Sequence, residues 1–141
     1  MRAGPAIAVA LTFVWLGMVL AISFLEAPLK FRAPNVTLPI GLGIGRLVFR
    51  ALNTVEVAFA LVILAIVAAG PTPARITAAF GVALAALAIQ LIAVRPRLTR
   101  RSDQVLAGLD APRSRGHYAY VGLEAVKVVA LAAAGILLLS G

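Results

Sequence analysis

The chain has 141 residues, 62% of them hydrophobic and 13% charged, with a mean hydropathy of +1.05. A soluble domain carries about one quarter charged residues, so this composition places the chain in the membrane class. It has no Cys, which excludes disulfides, thiolate metal sites and thiol nucleophiles, and its net charge of +8 is read as membrane topology and lipid contact rather than nucleic-acid binding.

The first apolar run spans about residues 6–27. It is longer than the apolar core of a signal peptide, so it is read as a retained span. Thr12, Trp15, Val19, Ser23 and Glu26 share one face at helical spacing. Residues 28–50 follow as a basic connector. Pro28, Pro34 and Pro39 argue against a continuous helix there, and Thr37 before Pro39 reads as a helix start. Gly41, Gly43 and Gly45 precede no nucleotide site, because no strand leads into them. They suit close helix packing, and beside them Arg46 and Arg50 are candidates for a lipid headgroup.

The second span covers about residues 51–69, with Asn53 and Glu56 one turn apart on one face. Gly70-Pro71-Thr72-Pro73 is a sharp turn. In the third span, about 75–94, Ala79, Ala83, Ala86, Gln90 and Ala93 form a small-residue stripe suited to a close helix contact. Residues 95–116 are a basic loop. Within it Ser102 is positioned to cap a short interfacial helix carrying Val105, Leu106 and Leu109, and Arg100 and Arg101 are further headgroup candidates. The fourth span, about 117–139, places His117, Tyr120, Glu124 and Lys127 on one stripe.

These spans predict an all-α, single-domain integral membrane protein, an antiparallel four-helix bundle. Ten basic residues fall on the connectors 28–50 and 95–116 and their edges, against Arg2 and Arg75 on the other side. The positive-inside rule then puts both connectors in the cytoplasm and both termini outside, in a plasma membrane. With that orientation Glu26, Asn53, Glu56, Gln90, His117, Tyr120, Glu124 and Lys127 all lie in the cytoplasmic half of the bilayer, and Lys127 is about 15 Å from its span end. Charged groups at such depth are functional-site candidates. Three readings stay open: a structural set of interhelical polar contacts, a cytoplasm-facing cavity that binds or transports a small solute or relays protons, and a metal or redox centre. The last has little support in a single His and no Glu-x-x-His motif. No catalytic residue, metal ligand set or cofactor is expected. The expected partners are the bilayer and its anionic headgroups, with a homo-oligomer or a larger complex, in which the chain is an accessory subunit, as the alternative.

Several short segments resemble a known family. They are Trp15-Leu16-Gly17, Phe24-Leu25-Glu26-Ala27-Pro28-Leu29-Lys30-Phe31, Gly45-Arg46-Leu47-Val48-Phe49-Arg50-Ala51-Leu52-Asn53, and a late His117. Together they resemble an uncharacterised four-helix membrane family whose eukaryotic relatives are transmembrane proteins associated with cisplatin resistance. Its bacterial members are distantly similar to the membrane protein of copper-resistance operons. The resemblance implies a four-helix membrane protein, carries no established activity, and singles out Trp15, Gly17, Pro28, Phe31, Gly45, Arg46, Asn53 and His117.

Overall fold

A computed structural model describes residues 2–109 and 115–141. Asp110 and Arg113 of the basic loop lie outside the described residues. Among the described residues the chain forms four long helices and no strand. They are α1 (Ala3–Lys30), α2 (Leu38–Ala69), α3 (Ala74–Leu106) and α4 (Arg115–Ser140). Each of the four is long and apolar enough to cross a membrane.

Local chemistry sets the helix ends. Thr37 caps α2, its Oγ1 accepting from the Ile40 amide at 3.4 Å, and Pro39 sits in the first turn, where a missing N–H costs nothing. α2 runs 32 residues, about 48 Å at the usual rise, as the Thr37-x-Pro39 start implies. It stops at Gly70, whose backbone is extended, and the Thr72 hydroxyl donates to the Val67 carbonyl left open by the helix end. α3 ends before Gly108, which has φ +85° and turns the chain back in the left-handed region open to glycine.

Pro28 does not end its helix, contrary to the sequence-based expectation, and neither does Pro96. Each follows a π-helical stretch, Leu20–Glu26 in α1 and Gln90–Val94 in α3. A proline inside an α-helix removes one hydrogen bond and presses its ring on the carbonyl four residues back. The wider π turn loosens that register just before the proline, so the helix resumes beyond it. As a result α3 carries straight through Arg95–Leu106, and Ser102 is a buried mid-helix residue rather than the cap of a separate interfacial helix.

α4 packs along both α3 and α1, α1 also packs on α2, and the C-terminal part of α3 returns to α2. The apolar core joins Trp15 and Val19 of α1, Ala60 and Ile63 of α2, Phe80, Ala83 and Leu87 of α3, and Leu131 and Ala134 of α4. Alanines at the α3–α4 contact let the two backbones come close, the packing suited to an apolar solvent. Of the small-residue stripe, Ala83, Ala86 and Gln90 are buried and Ala93 is exposed. The outside of the molecule is strongly apolar: Ile92 is 78% exposed, Leu47 73% and Val129 68%. The inside holds Glu56, Glu124 and Lys127, at 0%, 1% and 0%. Charges within and large aliphatic side chains without are the reverse of a water-soluble protein.

Candidate functional site

Asn53, Glu56, Gln90, Glu124 and Lys127, with Trp15 and Ser23, form one hydrogen-bonded set to which all four helices contribute. Lys127 of α4 sits at its centre. Its ammonium pairs with Glu56 of α2 and with Glu124 one turn back on α4, the latter at 2.5 Å, and donates to Gln90 Oε1 of α3 at 2.9 Å. Those are the three donors an ammonium has, so Lys127 is fully engaged. Glu56 also accepts from the Trp15 indole N–H at 2.7 Å and from Asn53 Nδ2 at 3.0 Å. Glu124 accepts from Ser23 Oγ on one oxygen and from Gln90 Nε2, at 2.9 Å, on the other. Gln90 Nε2 reaches the Tyr120 carbonyl as well, at 3.2 Å, and Asn53 Nδ2 lies 3.3 Å from the Tyr120 hydroxyl.

The two π-helical stretches bear directly on this set. Ser23 lies in the first and Gln90 opens the second, and the two side chains meet on the same carboxylate, Glu124. A π turn shifts the phase of everything beyond it. In each helix the residue that reaches Glu124 is in the widened turn, and the proline follows five or six residues later. With all three groups ionised, Glu56, Glu124 and Lys127 sum to one negative charge, so a single proton neutralises the set. Among the described residues no three His, Asp or Glu lie together as a metal ligand set, and the ammonium fills the space between the two carboxylates.

One side of the set forms the floor of a cavity of about 890 Å³, which Glu124 lines and which Glu56, Gln90 and Lys127 do not. Asn53, Tyr120, Glu124 and Ser23 line its base, and the ends of α1 and α3 with the starts of α2 and α4 form its walls. Those walls alternate cations with rings. Lys30 Nζ lies 5.6 Å from the centre of the Phe31 ring and 5.9 Å from that of Phe49. The Arg95 guanidinium lies 5.5 Å from Phe49 and 5.9 Å from Tyr120, whose rings meet edge to face at 5.7 Å. These distances are within cation–π range. The glycines at the start of α2 make this wall possible. A Cβ at Gly41 would run into the Phe31 ring, and one at Gly45 would lie 3.0 Å from Lys30 Nζ. Gly41-x-x-x-Gly45 is therefore a seat for the end of α1, which settles its role as close packing.

Of the residues singled out in the sequence, Asn53, Glu56, Gln90, Tyr120, Glu124 and Lys127 come together. His117 lines the cavity, half-buried, with its ring edge-on to Tyr118 at 5.5 Å. Glu26 stands apart from the hydrogen-bonded set, 3.8 Å from Lys30 on its own helix. Arg46, Arg50 and Arg101 line the cavity, and Arg46 is paired with Asp103 at 2.8 Å, tying α2 to α3. Arg100 is exposed and does not line it. Sequence reasoning did not include Trp15, Ser23, Lys30 or Arg95 in the site. The signal for the first two was present: both share the helical face that ends at Glu26, and a buried indole N–H needs an acceptor.

Comparison of the chain with protein-family models, with curated proteins and with solved structures finds no match.

Proposed function

We propose that this chain is an integral membrane protein whose four helices cross the plasma membrane antiparallel, and that it binds a small solute in the cavity above the Glu56–Lys127–Glu124 set, as one step of its transport. The observation that carries this reading is a cavity of about 890 Å³ ending on buried charges. That volume lies in the usual range for small-molecule sites, about 300–1,000 Å³. Interhelical glue alone needs no cavity beside it, whereas a charged floor under an open chamber offers a solute both orientation and a proton. The strongly apolar exterior supports the membrane setting. The basic residues at the cavity end, Lys30, Arg46, Arg50, Arg95 and Arg101, support its opening to the cytoplasm. The family resemblance carried by Trp15-Leu16-Gly17 and Gly45-Arg46 implies the same architecture.

The absence of native Cys makes sidedness straightforward to measure. Single cysteines at Ala33, in the turn after α1, and Pro71, in the turn after α2, are both exposed. In right-side-out vesicles an impermeant maleimide is expected to label Pro71→Cys and to leave Ala33→Cys unlabelled until the membrane is opened. Labelling of both positions from one side would contradict the topology, and with it the cytoplasmic opening of the cavity.

A further inference from the structure

Resting on that reading, the cavity's own chemistry narrows the class of solute. We infer that the cavity binds an anion carried on an apolar or aromatic body, such as an organic phosphate or carboxylate or the headgroup end of an acidic lipid. Five cations line the cavity, Lys30, Arg46, Arg50, Arg95 and Arg101, against a single lining carboxylate among the described residues, Glu124. Neighbouring carboxylates reduce the imbalance without removing it. Glu26 stands by Lys30 and Asp103 pairs with Arg46, while the floor set of Glu56, Glu124 and Lys127 contributes one negative charge. Without counting Arg101, the other four cations still exceed these negative charges by one. In a low-dielectric surrounding such an excess attracts a counter-anion strongly.

The floor does not suit a cation. Both oxygens of Glu124 already accept hydrogen bonds, from Ser23 and from Gln90, and one of them also pairs with Lys127. A cationic solute would have to displace those donors and would still face the arginines. The walls account for the apolar body. Phe31, Phe49 and Tyr120 present rings between the cations, so a flat or aliphatic group can lie along them while its anionic end reaches a guanidinium. Guanidinium groups hold phosphate and carboxylate through paired N–H donors. A small inorganic anion would leave this apolar wall unused, so it is expected to bind more weakly.

The full chain in phosphatidylcholine nanodiscs tests this with a charge-mirrored pair, phenyl phosphate and benzyltrimethylammonium, and with inorganic phosphate as the anion without a body. Trp15 is the single tryptophan and donates to the Glu56 carboxylate of the same set, so its emission reports occupancy alongside calorimetry. Phenyl phosphate is expected to bind one per chain, at least tenfold more tightly than either of the other two, and Arg50→Gln or Arg95→Gln is expected to weaken it about tenfold. Native mass spectrometry of protein extracted from membranes containing phosphatidylglycerol separates the two sources. One retained phosphatidylglycerol per chain, lost in the same two variants, assigns the anion to the bilayer. No retained lipid, with phenyl phosphate bound, assigns it to the water phase. Equal or tighter binding of benzyltrimethylammonium overturns the anion assignment and leaves the cavity reading standing. Anion binding unchanged in both arginine variants, Arg50 being an exposed side chain, also overturns it. If none of the three compounds binds and no lipid is retained, the cavity reading fails with it.

Discussion

Lys127→Met destabilises the protein by about 3–5 kcal/mol, the cost of breaking a fully buried ion pair from one side. The reason is what it leaves behind. Glu56 and Glu124 would face each other without the ammonium between them, both almost fully buried. The double variant Lys127→Met with Glu124→Gln carries the same net charge in the set as the native protein. It is expected to recover part of the lost stability, because the two carboxylates no longer repel each other, while Glu56 stays charged without the ammonium and keeps only its hydrogen bonds from Trp15 and Asn53. Reversible unfolding in mixed micelles, followed by circular dichroism, measures both variants. A single variant as stable as the native protein would show that Lys127 is not the centre of the set. A double variant that folds well but binds no solute would separate the role of these charges in function from their role in stability.

The second large effect is expected at Trp15. Trp15→Ala removes the largest of the fully buried side chains and is expected to cost about 3–5 kcal/mol, a cavity effect. Trp15→Phe keeps most of the volume and removes the indole N–H that Glu56 accepts at 2.7 Å. Its expected cost is about 1.5–3 kcal/mol, the range for a hydrogen bond to a charged group. The difference between the two separates packing from polar satisfaction. A double-mutant cycle of Trp15→Phe with Glu56→Gln should show a coupling of about 1 kcal/mol or more. Additive effects would mean that the indole and the carboxylate do not share a bond.

The stripe on α4 was legible in the sequence because the helical period alone places Tyr120, Glu124 and Lys127 on one side, and all three are buried. The same period identified Asn53 and Glu56 on α2 and Gln90 on α3. The connectors were less legible. Pro28 read as a break, since proline in isolation opposes the α-helix, and the third span read as ending at residue 94. Local propensity carries no mark of the π turns that let both helices continue. Lys30 and Arg95 read as solvated loop charges for the same reason. With their helices extended, the side chains fold back over Phe31, Phe49 and Tyr120. The meeting of Ser23 with Gln90 on Glu124 depends on both π turns at once, together with the way α1 and α3 pack against α4. It is a long-range consequence that no single segment encodes.

Single-cysteine accessibility at two positions one turn apart on α2 tests the central claim most directly. Val57 lines the cavity, and Leu61, 61% exposed, lies on the apolar outside and does not line it. In inside-out vesicles, Val57→Cys is expected to react with a small charged methanethiosulfonate from the aqueous phase, and Leu61→Cys, facing lipid, is expected to stay unmodified. An unreactive Val57→Cys in a folded protein, or equal reaction at both positions, would contradict a water-filled chamber that opens to the cytoplasm above the Glu56–Lys127–Glu124 floor.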